Sequence, residues 1–391
     1  MQIKALTGDW LNNALEQRYG GAHVTNFKVE NIGDGVGFGG TVLRIDLEYS
    51  RTCDAPASAI LKLPVIAPAM LKAAKAQGLV REAMFYQTFA QVLPAPLKQC
   101  LPDIYHVEIH PGAQDFAILM EDLGEPDANS NVGGMSPELD NLIKAVKSIG
   151  KFHAAFWNKP LMEDPETRWL TPVIDSNPES RHGHLESLAN AMGHIKASEI
   201  NNGYLMNCIQ RLVTLIPLAP DQTPQGLPTT LTHGDFHPGN IFIRDEQVKI
   251  FDWQLVSQGS PLLDVANLLA SSVAPADHER YTLSLLRAYH DTLLEEGVSD
   301  YSMAKLRKDL KKARFFVFLK FLIIFGTVSY DGPAGALIES DKIRKLIFLA
   351  EQAGALMFLR RLRVLFFVLS VGRLFKKRLT RNEHARTSSR N

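Results

Sequence analysis

From Leu231 to Trp253 the chain reads LTHGDFHPGNIFIRDEQVKIFDW, the stretch densest in side chains that could do chemistry. Asp235 and Asn240 lie in a segment whose Gly and Pro residues mark a turn-rich loop. Ile241–Arg244 and Gln247–Phe251 then read as two short strands around Asp245-Glu246, so the pattern predicts a hairpin. A hairpin returns to its starting edge and brings Asp252 back beside Asn240. An amide oxygen and a carboxylate paired in this way make a hard-oxygen site suited to Mg²⁺ holding phosphate oxygens. Asp235 precedes both, placed to orient an attacking hydroxyl and accept its proton. These are the parts that phosphoryl transfer needs, because it demands positioning and charge neutralisation more than covalent chemistry.

The elements around this stretch follow from periodicity. Phe27–Ile32, Thr41–Tyr49 and Ala59–Pro64 read as strands, as do Ile104–Ile109 and Phe116–Met120. A helix is expected from about Leu71 to Leu93, with Leu79, Ala83, Tyr86 and Phe89 on its apolar stripe. Lys62 is a lone cation in an apolar strand, and a buried lysine requires a paired anion. Between the first two strands runs Gly33-Asp-Gly35-Val-Gly37-Phe-Gly39-Gly40, with Thr41 after it. Its glycines let a backbone approach phosphates, and Thr41 adds a hydroxyl. The run satisfies GxGxxG, but a dinucleotide site needs a helix next and here a strand follows, so a flap over phosphates is the better reading. A plain hairpin turn is the alternative.

The polar run Glu121–Gly134 reads as a hinge. Ser136-Pro137-Glu138 then signals a helix start with Ser as the cap, followed by Leu139, Leu142, Ile143, Val146, Ile149, Phe152 and Phe156 at helical spacing. Most of the remainder is helical in pattern. The fold class expected is α+β: a small N-terminal antiparallel-sheet lobe with one helix, then a larger, mainly helical C-terminal lobe. The expected boundaries are 1–122, 123–356 and a basic terminal segment, 357–391.

HGDFHPGN resembles the HGDxxxxN catalytic loop of the aminoglycoside phosphotransferase superfamily, which has the protein-kinase-like fold, and IFDWQ resembles its metal-binding Asp segment. Within it the chain is most similar to the ecdysteroid kinase-like group and its bacterial relatives, through AILKLP, KFHAAFW at 151–157 and DWQ followed by PLLDVANLLASS at 261–272. The resemblance covers about residues 27–275. It implies a small-molecule kinase using ATP and Mg²⁺, with Asp235 as catalytic base and Asn240 and Asp252 as metal ligands. It implies that Lys62 contacts the α- and β-phosphates and that Glu82 fixes Lys62. Gly35, Gly37, Gly39, Gly40 and Thr41 would cover the nucleotide, and main-chain groups from Met120 to Leu123, Glu121 included, would meet adenine. His233 is expected to brace the loop, Asp264 to cap a helix or hold the loop, and His153 to be a satisfied core histidine. Trp157 and Trp253 are expected to be packing residues. The acceptor implied is a hydrophobic alcohol of steroid type or a similar metabolite.

Two rival readings compete with this one. HxDxH at 233–237, with His182 and His184, suggests a metal-dependent hydrolase, but leaves Asn240 and the hairpin unexplained. A nucleotide-binding pseudokinase would lack the base, the metal ligands or the lysine, and none is missing. No APE segment or activation loop marks a protein kinase.

Composition narrows the setting. The 391 residues are 46% hydrophobic and 21% charged, which excludes a wholly disordered or collagen-like chain. Cys53, Cys100 and Cys208 lie far apart without a CxxC, so neither a disulfide framework nor a structural zinc is expected, and a cytoplasmic setting is. The first twenty residues show no apolar signal-peptide core. Phe315–Val328 is too short to span a bilayer, carries Lys320, and reads as a buried helix. The formal net charge is zero, which gives no overall attraction to nucleic acid. That balance is uneven. After Leu356 ten cations face only Glu383, leaving the rest of the chain with 32 basic and 41 acidic side chains, a net −9. A basic end is a poor match for a polycationic aminoglycoside. With the apolar Val364–Val371 it forms either an amphipathic helix in peripheral contact with a membrane or a helix docked on the acidic body, and docking is favoured.

Overall fold

The computed structural model describes residues 6–16, 18–21, 23–32, 40–64, 80–110, 115–124, 135–172, 178–200, 202–218, 227–244, 246–330 and 332–364. It divides into two compact units, one of residues 1–173 and 227–307, the other of 174–226 and 308–391. The sites discussed below lie in the first.

The first unit opens with helix α1 (Gly8–Glu16) and a five-stranded antiparallel sheet. Its strands are β1 (Val24–Asn31), β2 (Thr41–Tyr49), β3 (Ser58–Leu63), β4 (Ile104–His110) and β5 (Asp115–Glu121), in the order β1-β2-β3-β5-β4. The period-two pattern of β2 sends Leu43, Ile45 and Leu47 inward, where they pack with Leu11 and Leu15 of α1 and Leu61 of β3. The register sets Lys62 opposite Val42 on one side and Ile118 on the other, mid-sheet. Helix α2 (Arg81–Val92) follows β3 and buries Ala83, Tyr86 and Phe89. The earlier part of the expected helix, 71–79, and the glycine run 33–39 lie outside the described residues.

Helix α3 (Leu139–Ala155) buries Leu142, Val146, Ile149 and Phe152 as the spacing predicts. It begins later than expected. Glu138, in extended conformation, is its N-cap, and Ser136 makes no cap. The first helical hydrogen bond runs from Leu142 N to the Glu138 carbonyl at 3.0 Å, while the Ser136 carbonyl accepts from the Asn141 side chain at 3.4 Å. The hairpin is present, as β7 (Ile241–Arg244) and β8 (Gln247–Ile250), flanked by the two-stranded pair β6 (Thr230–Thr232) and β9 (Ser257–Gly259). Two helices, Leu262–Ser272 and His278–Glu295, complete the unit.

The second unit holds the helices Pro178–Ala197, Gly203–Leu215 and Gly332–Gln352, and Met303–Thr327 from Lys308 onward. Asn190 donates to the Gly326 carbonyl at 3.2 Å and Tyr204 to the Ala350 carbonyl at 3.3 Å, tying helix to helix. Phe315, Phe318, Leu322 and Phe325 are buried. No helix among the described residues is long and apolar enough to cross a membrane. The basic segment is described only to Val364.

Candidate active site

The charged centre of the site is built by the sheet and α2. Lys62 Nζ lies 2.5 Å from Glu82 Oε2 and 2.5 Å from Asp252 Oδ1. Glu82 sits in the first turn of α2 and is only 2% exposed, whereas Asp252 keeps a quarter of its side chain open. Burial works against the lysine's charge, but the Asp252 and Glu82 carboxylates outweigh it and hold the amine above its ordinary value. Burial pushes Glu82 up, with Lys62 opposing. The cluster is thus a protonated lysine shared by a fully buried carboxylate and a partly exposed one.

The loop after β6 supplies the other groups. Asn240 Nδ2 donates to the Asp235 carbonyl at 3.0 Å, and Phe251 N donates to the Asn240 carbonyl at 3.1 Å. That second bond closes the hairpin and sets Asp252 next to the asparagine strand, as the sequence pattern requires. With its Nδ2 committed, Asn240 offers its amide oxygen as an acceptor. Asp252 has φ 63° and ψ 58°, a left-handed conformation that non-glycine residues seldom adopt and that structures retain mainly at functional sites. Gly234 also has positive φ, and a Cβ there would collide with the Leu255 carbonyl, so this position requires glycine.

A buried network grips the loop from its other side. Asp264 Oδ2 accepts from His233 N at 2.7 Å and Oδ1 accepts from Gly234 N at 2.9 Å. Asn267, one turn further along the same helix, donates to the Phe236 carbonyl at 3.0 Å. His153 Nε2 lies 3.2 Å from Asp264 Oδ2, and its Nδ1 lies 2.8 Å from the Tyr289 hydroxyl. Burial alone would raise the Asp264 pKa, but the His153 hydrogen bond and charge and the His233 contacts hold it below the ordinary carboxylate value. His233 bridges Phe251 O with Nε2 and Asp235 N with Nδ1, while its ring lies against Trp253, which in turn stacks on Phe85 at 4.1 Å. Burial presses the His233 pKa below 6.5 despite Asp264 nearby.

The fold therefore brings Lys62, Glu82 and Asp252 into one cluster, and Asp235 and Asn240 into one loop that the hairpin joins to it. Gly40 is held tight, since a Cβ would meet the Leu63 carbonyl beside Lys62, and Thr41 starts β2. Gly35, Gly37 and Gly39 lie outside the described residues. Glu121 ends β5 with its side chain 3.2 Å from Lys249 and its amide donating to Asp103 O, and Leu123 follows, half-buried. His153 is buried and satisfied, as expected, and of the two readings of Asp264 the structure favours holding the loop over capping, since its helix starts at Leu262. Asn267 and Tyr289 are not evident from sequence. The signal in the chain is a polar pair, Asp264 and Asn267, at i, i+3 in a helix that is otherwise apolar up to Ala270.

The hydrolase ligand set does not assemble. His233 spends both ring nitrogens inside the loop, and His237 Nδ1 accepts from Gly239 N. No group of three His, Cys, Asp or Glu among the described residues is arranged to hold a metal ion.

A family model described as "Ecdysteroid kinase-like family" matches residues 34–297, two thirds of the chain, including the whole 233–240 loop. The chain belongs to that family. It is accordingly a kinase-like phosphotransferase, with the fold of the aminoglycoside phosphotransferase superfamily. Similar solved structures agree on the fold. A choline kinase from Cryptosporidium parvum Iowa II superposes with a TM-score of 0.55 at 13% identity, over 91% of this chain and 99% of that one. Amicoumacin kinase hAmiN, solved with AMP-PNP, Ca²⁺ and Ami, superposes with a TM-score of 0.50 at 15% identity, over 88% of this chain and 92% of that one. No curated protein sequence matches the chain.

Proposed function

We propose that this member of the ecdysteroid kinase-like family transfers the γ-phosphoryl group of ATP to a hydroxyl of a small molecule. The observation that carries the reading is Lys62, bridged at 2.5 Å to both Glu82 and Asp252. A charged lysine is thereby poised where a hairpin-borne carboxylate meets the Asp235–Asn240 loop. An adenine nucleotide in the similar amicoumacin kinase structure supports the donor.

In this reading residues 1–122 hold the nucleotide and 123–356 carry the catalytic loop. Lys62 holds the α- and β-phosphates while Glu82 keeps its amine charged and aimed. The backbone around Gly40, the Thr41 hydroxyl, and Gly35, Gly37 and Gly39 cover the phosphates. Main chain from Glu121 to Leu123 receives adenine. The donor set fits Mg²⁺: the Asn240 amide oxygen and the Asp252 carboxylate are hard oxygens, and two protein ligands leave room for water and phosphate. That cation supplies neutralisation of charge on the phosphoryl group. Asp235 orients the acceptor hydroxyl and takes its proton, so that the oxygen attacks in line.

The acceptor we favour is a hydrophobic alcohol, steroid-like in character. The family's own description points that way, and the concentration of basic residues after Leu356 disfavours a polycationic acceptor. The test is an ADP-release screen with Mg-ATP across sterols, sugars, amino alcohols and aminoglycosides. Release stimulated by one class identifies the acceptor. Nucleotide binding with no stimulated release by any class would favour a pseudokinase instead.

A further inference from the structure

His237 lies within the catalytic loop, and neither the phosphate-binding nor the proton-accepting role calls on it. Its two ring nitrogens do different things. Nδ1 accepts a hydrogen bond from Gly239 N at 3.0 Å and so caps the tight turn Pro238–Asn240. With Nδ1 used as an acceptor, the neutral ring carries its proton on Nε2. Nε2 faces Asp235 Oδ2 at 3.4 Å, with Asp235 and His237 each about a quarter exposed. At 3.4 Å the two groups are in electrostatic contact, and contacts at catalytic groups commonly tighten on substrate binding.

We propose that His237 is a positioning residue whose single imidazole sets Asp235 and the turn bearing Asn240 in mutual register. Nε2–H steers the Asp235 carboxylate, and Nδ1 fixes the turn that presents Asn240. Asn240 closes the circuit by donating Nδ2 to the Asp235 carbonyl at 3.0 Å. The proposal rests on the reading of Asp235 as base and Asn240 as metal ligand. It adds that the two are mechanically one unit, held by a single side chain.

Two substitutions separate the two nitrogens. In His237→Asn the amide oxygen replaces Nδ1, because an Asx turn accepts from the N–H two residues on, here Gly239. That variant retains the cap and loses the Nε2 donor. In His237→Gln the amide nitrogen reaches the Nε2 position while the cap is lost. Measured on the full chain, AMP-PNP affinity in excess Mg²⁺ by calorimetry should stay within about twofold in His237→Asn, while ADP release falls roughly 10- to 100-fold, the range expected for a misplaced catalytic group. His237→Gln should show the reverse bias, with AMP-PNP affinity weakened about tenfold, near 1.4 kcal/mol, and a smaller loss of turnover. Nitrogen-15 spectra of the imidazole should report Nε2–H with Nδ1 unprotonated.

A wild-type rate of ADP release in His237→Asn overturns the proposal, as does an Nδ1–H tautomer or an identical pattern in both variants. Asp235→Ala serves as the control. Should it retain turnover, the base assignment fails and the proposal with it. An inert Asp235→Ala beside a fully active His237→Asn overturns the proposal alone.

Discussion

One short loop presents two opposite faces. His233, Gly234 and Phe236 turn inward, where Asp264 and Asn267 grip their backbone and His153 and Tyr289 back up Asp264. Asp235 and His237 turn outward, each about a quarter exposed, as Asp252 is. The inner face is dry and fully paired, with Asp264 1% exposed and His153 0%. The outer face keeps carboxylates partly in water and partly paired. Both faces contain carboxylates near imidazoles, yet the chemistry differs. A buried carboxylate with its oxygens committed to fixed donors is a clamp, and one open to water can bind a cation or a proton.

Substitution on the outer face should remove activity and leave the fold. Asp235→Ala and Asp252→Ala are expected to lower phosphoryl transfer by roughly 10³-fold or more, with the thermal melt nearly unchanged. A melt that collapses in Asp235→Ala would break the contrast between the faces. The next effect belongs to the inner face. Asp264→Ala removes the Nε2 partner of His153 and the acceptor of two loop amides, one of them buried, and should cost about 3–5 kcal/mol of stability in chemical denaturation, the range for breaking a buried charged pair. Full stability there would mean that the grip is incidental. Tyr289→Phe keeps the ring and deletes one hydroxyl, so about 1 kcal/mol is expected, read from the same denaturation midpoints.

The smallest effect is a matter of pH. His233 has its pKa lowered below 6.5 by burial, so the unfolded chain takes up the proton first. Its contribution to stability is complete above about 6.5 and declines as the pH falls toward the folded-state value. Asp264 is held below the ordinary carboxylate value of 3.8, and its contribution is lost only as the pH falls through that lower folded value. Unfolding midpoints between pH 7 and 4 should therefore fall first through His233, and His233→Gln should flatten that upper limb. An unchanged slope in the variant would remove His233 from the inner face.

Much of the fold and of the site is legible in the residues alone. The hairpin pattern binds Asp235, Asn240 and Asp252 together, because a two-strand return with a short turn has only one outcome for its ends. The five strands are legible as short strand patterns, and the burial of Lys62 calls for some anion, but Glu82 as that anion comes only from the family resemblance. Less legible is anything that joins distant elements through single side chains. Tyr289 lies 136 residues from His153, and nothing in either neighbourhood marks the contact. Ser136 carries a helix-start signal, yet the helix begins at Leu139, because the first backbone bond of the helix is accepted by Glu138 and not by Ser136.

The sequence by itself determined which chemistry the chain carries: residue types at short spacing, read through local geometry, name a phosphoryl-transfer loop and its fold class. Only the tertiary structure decided which groups are clamps and which are open, because burial and hydrogen-bond partners come from elements far apart in the chain. Asp235, Asp252 and Asp264 are the same side chain three times over. The difference between an open carboxylate and a brace lies in how much water and how many donors each was left with.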